Sequence, residues 1–409
     1  MRAGTRGAVG SAVRKRLLVH LLATAMVWTA ARHATAGELS AGDMELLERH
    51  MPVLIIHPQD PARKRPGSGV LRGPGKKGFA DYHPIALEEI ASRATARERV
   101  SGWRGWLEVA RSINPFTWKP LQPTGLAEIQ RIAATQKTDN MELDLAPVRE
   151  SSGRHMWSYY SKELEGPRGA GLRRAVIHGD VVRKGGATTL VYDLAYFGND
   201  HINKHGGDHE IVAVRLGADG QPVELGVSAH SGGNRLEWQH ARVEDGRPVV
   251  YVGRGSHGMY LAHEPKGYPM HDIENLGVAG KLVRAAVFVL SGGRKLRDMV
   301  PGDPAFDRGL KAVEYGERLT DIEVRPLPKW ARRYQGTWGG APRIKPDLHG
   351  VGVKGPWAGN DARFNNPRQW MRGLRHASEE SPTIRARIAA KKAGTRRRTA
   401  KSRVPIRRR

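Results

Sequence analysis

Between Ala175 and Tyr260 the chain alternates short apolar, β-branched runs with turn signals at intervals of about ten residues, and that rhythm admits few folds. The runs are Ala175 to Val182, Thr188 to Phe197, Ile211 to Leu216, Val223 to Ser228 and Val249 to Val252. Lys184-Gly185-Gly186, Gly217 to Pro222 and Val243 to Pro248 supply turns between them. Strands in this arrangement predict a mainly β fold, an antiparallel β-sandwich. The 49 Gly and 25 Pro among 409 residues also favour many turns over long helices, while 39 % hydrophobic content with 10 Trp and 10 Tyr is enough for a sizeable core.

Helical insertions are expected ahead of the strands. Glu38 to His50 reads as a short amphipathic helix, and Pro52 to Pro58 as a buried strand ended by proline. Residues 61–79 are Pro, Gly and basic throughout, hence a loop. Pro84 stands at the start of a helix predicted over Ile85 to Glu98, where its missing N–H costs nothing. Gly102 to Ile113 and Leu126 to Gln136 have helical spacing as well, and Trp103 and Trp106 are read as packing residues. The apolar run Lys281 to Leu290 fits either strand or helix.

The N-terminus reads as an export signal: Arg14, Lys15 and Arg16 precede the largely apolar run Leu17 to Ala30, and Ala34-Thr35-Ala36 offers a cleavage site. The run is short of the ~20 apolar residues a membrane span needs. A periplasmic or extracellular location follows, with N-terminal membrane anchoring as the alternative. The absence of Cys removes any disulfide framework, thiolate ligand or lipid-bearing Cys. The expected organisation is a signal peptide over 1–36, a strand with helical and loop-rich segments over 37–173, the sandwich over 174–372, and a disordered basic tail over 373–409.

Charge is concentrated at the ends. Residues 1–36 hold six Lys or Arg and no acid, and residues 383–409 hold twelve and no acid, which leaves +8 of the formal +26 for residues 37–382. This distribution argues against a specific nucleic-acid-binding domain. It makes the tail attractive to polyanions in a nonspecific, salt-sensitive way.

The chemistry gathers around Tyr192 to Glu210, YDLAYFGNDHINKHGGDHE, where His205, Asp208 and Glu210 form an H-x-x-D-x-E spacing. On a strand Asp208 and Glu210 share one face with Val212, Val214 and Leu216, so two carboxylates head an apolar face. A divalent ion held with a nearby imidazole satisfies such a pair; a solvated strand end bonded to backbone or Arg is the plainer alternative. In a hairpin from Ile211 to Ser228 the start of the first strand lies beside the end of the second, which brings His230 of SAHSGG within reach. His257 of GRGSHG is a third imidazole in a Gly-flanked loop at a strand end.

The ordered motifs PVLIIHPQD, DYHP, VYDLAYFGND, HGGDHEIVAV, VSAHSGG, PVVYVGRGSHGMY and YQGTWGG resemble the vacuolar protein sorting-associated protein 62 family over roughly Glu45 to Trp370. Two positions depart from that family's pattern: His209 replaces a Trp between the acidic pair, and Gly258 replaces an Ala. The H-x-x-D-x-E core is also similar to necrosis- and ethylene-inducing peptide-like proteins, secreted β-sandwiches. That resemblance implies that His205, Asp208 and Glu210, with His230 as a further site histidine, surround a divalent cation of the Ca²⁺ or Mg²⁺ type. Trp338 and Trp357, in the closing segment, are read as lid packing rather than sugar-stacking platforms.

Three function classes emerge. One is a cation-dependent binding module for an anionic lipid headgroup or glycan. The second is a metal-dependent hydrolase of phosphate or carboxylic esters, with His257 or His230 as general base and Ser256 as hydrogen-bond donor. GRGSHG lacks the spacing of a nucleophile elbow, so a serine-triad reading fails. The third is a polyanion-binding structural protein acting through its tail alone.

Overall fold

The structure, a computed structural model, describes residues 39–56, 83–98, 124–144, 175–199, 205–230, 232–269, 297–310, 315–340, 351–354 and 361–402. The expected signal segment, the loop at 61–79, the helix at 102–113, the run at 281–290 and Trp357 lie outside these residues. Residues 40–409 group as one unit. No described helix is long and apolar enough to cross a membrane.

A seven-stranded sheet is the centre of the fold. Its order is β15 (Ile322–Pro326), β4 (Ala175–Lys184), β5 (Ala187–Asn199), β6 (His205–Leu216), β7 (Pro222–Ala229), β8 (Gly232–Glu237) and β18 (Arg375–His376). The run β4 to β8 is an antiparallel meander; the turn spacing predicts β4 to β7, β8 is additional, and β15 and β18 join the sheet's edges in parallel. Tyr192, Leu194 and Tyr196 pair with Val212, Glu210 and Asp208, so these six residues share one face of the sheet. Asp193 and Ala195, paired with Ile211 and His209, turn to the other.

Each face is covered. On the His209 face lies a four-stranded sheet of β17 (Val351–Lys354), β16 (Thr337–Gly340), β3 (Met141–Asp144) and β2 (Thr95–Glu98). Trp338 of β16, fully buried, meets the His209 ring edge-on with centroids 5.2 Å apart, which makes it a packing residue. Phe364 packs on Ile211 and Val191 of the same face. The Asp208 face meets a second sheet, β11 (Met259–Tyr260), β10 (Arg247–Val252), β1 (Val53–Ile56) and β14 (Glu317–Leu319), with β9 (Val243–Glu244) beside β10. All four residues of β1 are buried, because it runs between β10 and β14. A two-stranded piece pairs β12 (Tyr268–Pro269) with β13 (Arg297–Asp298).

Helices sit outside the sheets. Helix α1 (Ala41–Arg49) begins with a capping box from Ser40 to Asp43 and buries Leu47 against Gly179, where a Cβ would lie 2.8 Å from a Leu47 methyl. The Tyr192 hydroxyl donates to the Leu47 carbonyl at 2.9 Å. Helix α2 (Leu87–Arg93) is shorter than the expected Ile85 to Glu98; Thr95 to Glu98 instead pairs with β3 as strand β2. Tertiary pairing overrides the helical pattern there. Helix α3 (Leu126–Thr135) lies where its spacing predicts. After α4 (Lys329–Arg333) come α5 (Ala362–Asn365), α6 (Pro367–Gly373), α7 (Ala377–Glu380) and α8 (Pro382–Ser402). Residues 373–402, expected to be disordered, are thus mostly helical. The reason is docking: Ile384 is fully buried, and Glu264 binds both the Ser381 hydroxyl and the Thr383 N–H at the start of α8.

Candidate functional site

The start of β6, the end of β7 and the loop from β10 to β11 meet at one end of the central sheet. Strands β6 and β7 pair only as far as Val212 with Val227. Beyond that point the Ile211 N–H turns to the Ser228 hydroxyl at 2.6 Å, and Ser228 donates in turn to Glu210. The ladder opens where the carboxylates stand. Asp208 and Glu210 are each 5 % exposed.

Asp208 is held from three sides. One oxygen accepts from the His209 N–H at 3.1 Å; the other accepts from Asn199 Nδ2 and from His257 Nδ1, each at 3.1 Å. The His257 ring stacks on Tyr196 with centroids 4.0 Å apart and an interplanar angle of 5°. Burial pushes the Glu210 carboxyl well above the usual carboxylate range, and Asp208 beside it pushes further in the same direction. The Ser228 hydroxyl, His230 and Arg363 oppose that shift without reversing it.

His230 belongs to a second set. Its Nε2 lies 2.5 Å from Asp298 Oδ2, and the Tyr260 hydroxyl donates to the same oxygen. Asp298 is fully buried, and burial together with Asp298 drives the Tyr260 hydroxyl well above its ordinary value. Tyr260 stacks on Tyr268 at 4.1 Å. Asp208, Glu210, His230, His257 and Asp298 therefore form one buried polar cluster lined by tyrosines.

The backbone marks the same residues. Three described non-glycine residues have left-handed φ: His230 at 55°, His257 at 58° and Asp245 at 50°. Such a conformation costs about 1 kcal/mol for a side chain with a Cβ. In both site histidines the hydrogen bond to a buried carboxylate offsets it, and strain of this kind gathers where a side chain must be aimed. For His257 the aim is set by a tight loop: Gly253 N–H reaches the Gly258 carbonyl at 2.7 Å, and His257 N–H reaches the Gly253 carbonyl at 3.0 Å.

Of the sequence candidates, the fold brings Asp208, Glu210, His230 and His257 together. His205 is the first residue of β6, paired with Asn199, and its side chain is not among those described. Among the described residues no group of three or more His, Asp or Glu side chains is arranged to hold a metal ion. Ser256 is 1 % exposed and its hydroxyl makes no hydrogen bond among the described residues, so it forms no nucleophile–base pair with His230 or His257.

Sequence reasoning missed Asp298, Asn199, Ser228 as a partner of Glu210, and Tyr260. Asp298 comes from a two-residue strand about 90 positions beyond β6, with no local signal. Tyr260 was visible in the GRGSHGMY motif but carried no assigned role. Also unforeseen is a buried pair on the opposite face of β6, where His209 Nδ1 sits 3.0 Å from Asp193 Oδ1 and Nε2 makes no hydrogen bond among the described residues.

No protein-family model matches the chain, and no curated protein matches it. The resemblance to the vacuolar protein sorting-associated protein 62 family therefore rests on the ordered motifs alone. Solved structures give partial likenesses. One, NLPPya in complex with glucosamine, is 20 % identical with a TM-score of 0.20, over 23 % of this chain and 48 % of that chain. Another, Necrosis and Ethylene inducing Protein 2 from the causal agent of cocoa's Witches Broom disease, is 22 % identical with a TM-score of 0.20, over 22 % and 45 %. The chain spans about half the length of these structures.

Proposed function

We propose that the protein is a binding module that takes a hard divalent cation, of the Ca²⁺ or Mg²⁺ type, at the head of β6 and through it an anionic lipid headgroup or glycan. The observation that carries this reading is the Asp208–Glu210 pair. Two carboxylates are buried side by side, and burial and mutual repulsion hold Glu210 above the usual carboxylate range. A pair in that state favours any cation that can share it, and oxygen donors suit a hard ion.

Asp208 and Glu210 would hold the cation, with His205 at the same strand end and His230 across the opened ladder. When bound, the ion offers an electrophilic contact for a phosphate, carboxylate or hydroxyl oxygen. The chain's own part is positioning. Asn199 and His257 fix the Asp208 carboxylate, Ser228 fixes Glu210, and Asp298 with Tyr260 fixes His230. Such partners hold ligand groups in place and tune their basicity.

The test is metal content measured by native mass spectrometry on protein dialysed against Ca²⁺ and Mg²⁺. The Asp208→Asn, Glu210→Gln double variant is expected to lose the ion that wild type retains. Equal content in both ends the reading.

A further inference from the structure

Strand β18 is the last in the order of the central sheet and pairs in parallel with β8, His376 opposite Arg235. That register sets His376 beside the end of β8, where its Nε2 lies 2.9 Å from Glu237 Oε2. On the other side of the ring, Nδ1 lies 2.6 Å from the Ser378 hydroxyl. Serine, imidazole and carboxylate thus form one chain of hydrogen bonds, which shares no residue with the cation cluster. The elements that carry it are tied down: Ala377 is buried, Glu380 accepts from Asn234 at 3.1 Å and from Arg375 at 3.0 Å, and Ser381 donates to Glu264. Its nucleophile end is open, since His376 and Ser378 are only half-buried, whereas Ser256 is 1 % exposed.

The backbone fixes where the ring proton sits. The Ser378 N–H donates to His376 Nδ1 at 3.3 Å, and because an amide N–H can only donate, Nδ1 presents its lone pair. The proton is therefore on Nε2, facing Glu237. Burial by itself would raise the Glu237 carboxyl, but the bonds from His376 and from the backbone outweigh it and hold the group below its ordinary value. A lone pair aimed at a hydroxyl, with a carboxylate behind the ring to stabilise the imidazolium, is the arrangement that activates a serine. The surroundings choose the electrophile. Phosphoryl transfer spreads charge over three oxygens and relies on a cation clamp. Here the guanidinia beside Ser378 are engaged, Arg385 with the Ser378 and Glu379 carbonyls at 2.6 and 3.1 Å and Arg375 with Glu380. Acyl transfer develops charge on one oxygen and asks mainly for a base beside the nucleophile.

We infer that Ser378, His376 and Glu237 form a second, metal-independent site that takes the acyl group of a carboxylic ester. Ser378 Oγ attacks the ester carbonyl carbon as its proton passes to His376 Nδ1. The new bond joins Oγ to the acyl carbon, the bond from that carbon to the alcohol oxygen breaks, and the alcohol leaves with the Nδ1 proton. Water then attacks the acyl carbon and gives a proton to Nδ1; Oγ departs, recovers that proton, and the carboxylic acid is released. Assistance by a base of this kind is worth about 10²–10⁴-fold, so the expected reaction is a slow hydrolysis of reactive esters.

The experiment uses the full chain with p-nitrophenyl acetate, read by p-nitrophenolate release and, after acid quench, by mass mapping of the acetyl group; so good a leaving group makes the acyl intermediate accumulate. Wild type is expected to carry acetyl on Ser378 and to release p-nitrophenolate at a rate that EDTA leaves unchanged. Ser378→Ala and His376→Asn are each expected to lower the maximal rate at least about tenfold. Asparagine still caps α7, so the second variant removes the base and keeps the helix start. Glu237 acts through His376 as a positioning residue: Glu237→Gln lowers kcat with KM unchanged, and Glu237→Asp recovers part of the loss. Absence of acetyl from Ser378, including acetylation of Lys side chains alone, would overturn the inference. So would a Ser378→Ala rate within about twofold of wild type, or a wild-type rate that EDTA abolishes, which would assign the chemistry to the cation site.

Discussion

His83 and His257 are both buried imidazoles. His83, 4 % exposed, has no charge partner among the described residues, and burial lowers it from 6.5 to about 4. The unfolded chain therefore takes up a proton near pH 6.5 that the folded chain refuses until about pH 4. The stability contributed by the neutral, buried ring is complete above pH 6.5 and is lost as pH falls towards 4, by about 3 kcal/mol in all. Urea unfolding from pH 7 to pH 4 should thus lose stability less steeply in His83→Leu than in wild type, whatever the variant's absolute stability. His257 instead carries a left-handed backbone and a hydrogen bond to Asp208. Comparing His257→Gly with His257→Ala isolates the backbone contribution, because both lose the ring. The glycine variant is expected to be more stable by about 1 kcal/mol, read from denaturant midpoints; the reverse order would show that the loop relaxes on losing the ring.

At the scale of elements, the start of β8 and the start of α8 are the two sensitive joints. Gly233 has a φ of 146°, and a Cβ there would lie 2.0 Å from the Val227 carbonyl oxygen, a backbone atom that cannot swing aside. Gly233→Ala is expected to cost at least about 3 kcal/mol or to prevent folding, because strain and overlap fall on the same residue. Circular dichroism and thermal unfolding would measure it. Glu264 has the opposite character: its carboxylate is buried to receive Ser381 and Thr383. Glu264→Ala should release α8, seen as faster proteolysis between Pro382 and Ser402 with the cut rate of the remaining chain unchanged. Without that anchor the helix has little reason to form from its composition, since it lacks an apolar face beyond its first turns.

At the scale of the whole molecule, long-range pairing joins segments that share no local signal. Arg318 on β14 binds Asp303 and Glu244 together, and Asp303 is fully buried. Removing it in Arg318→Ala leaves a buried carboxylate short of its cation, a loss of about 3 kcal/mol expected in equilibrium unfolding. Parallel pairing of β1 with β10 and of β4 with β15 likewise connects residues more than 140 positions apart. The chain by itself determined the meander from Ala175 to Ala229, since alternation sets strand faces and Gly-rich turns set their order; the next strand, β8, carried no such signal. It also set Asp208 and Glu210 on one face, because side chains alternate along a strand. Only the tertiary structure decided that His257 reaches Asp208, that Asp298 holds His230, and that the basic C-terminal segment is a docked helix rather than a loose tail. Each of these depends on groups far apart in sequence, whose meeting is governed by packing and burial rather than by local propensity.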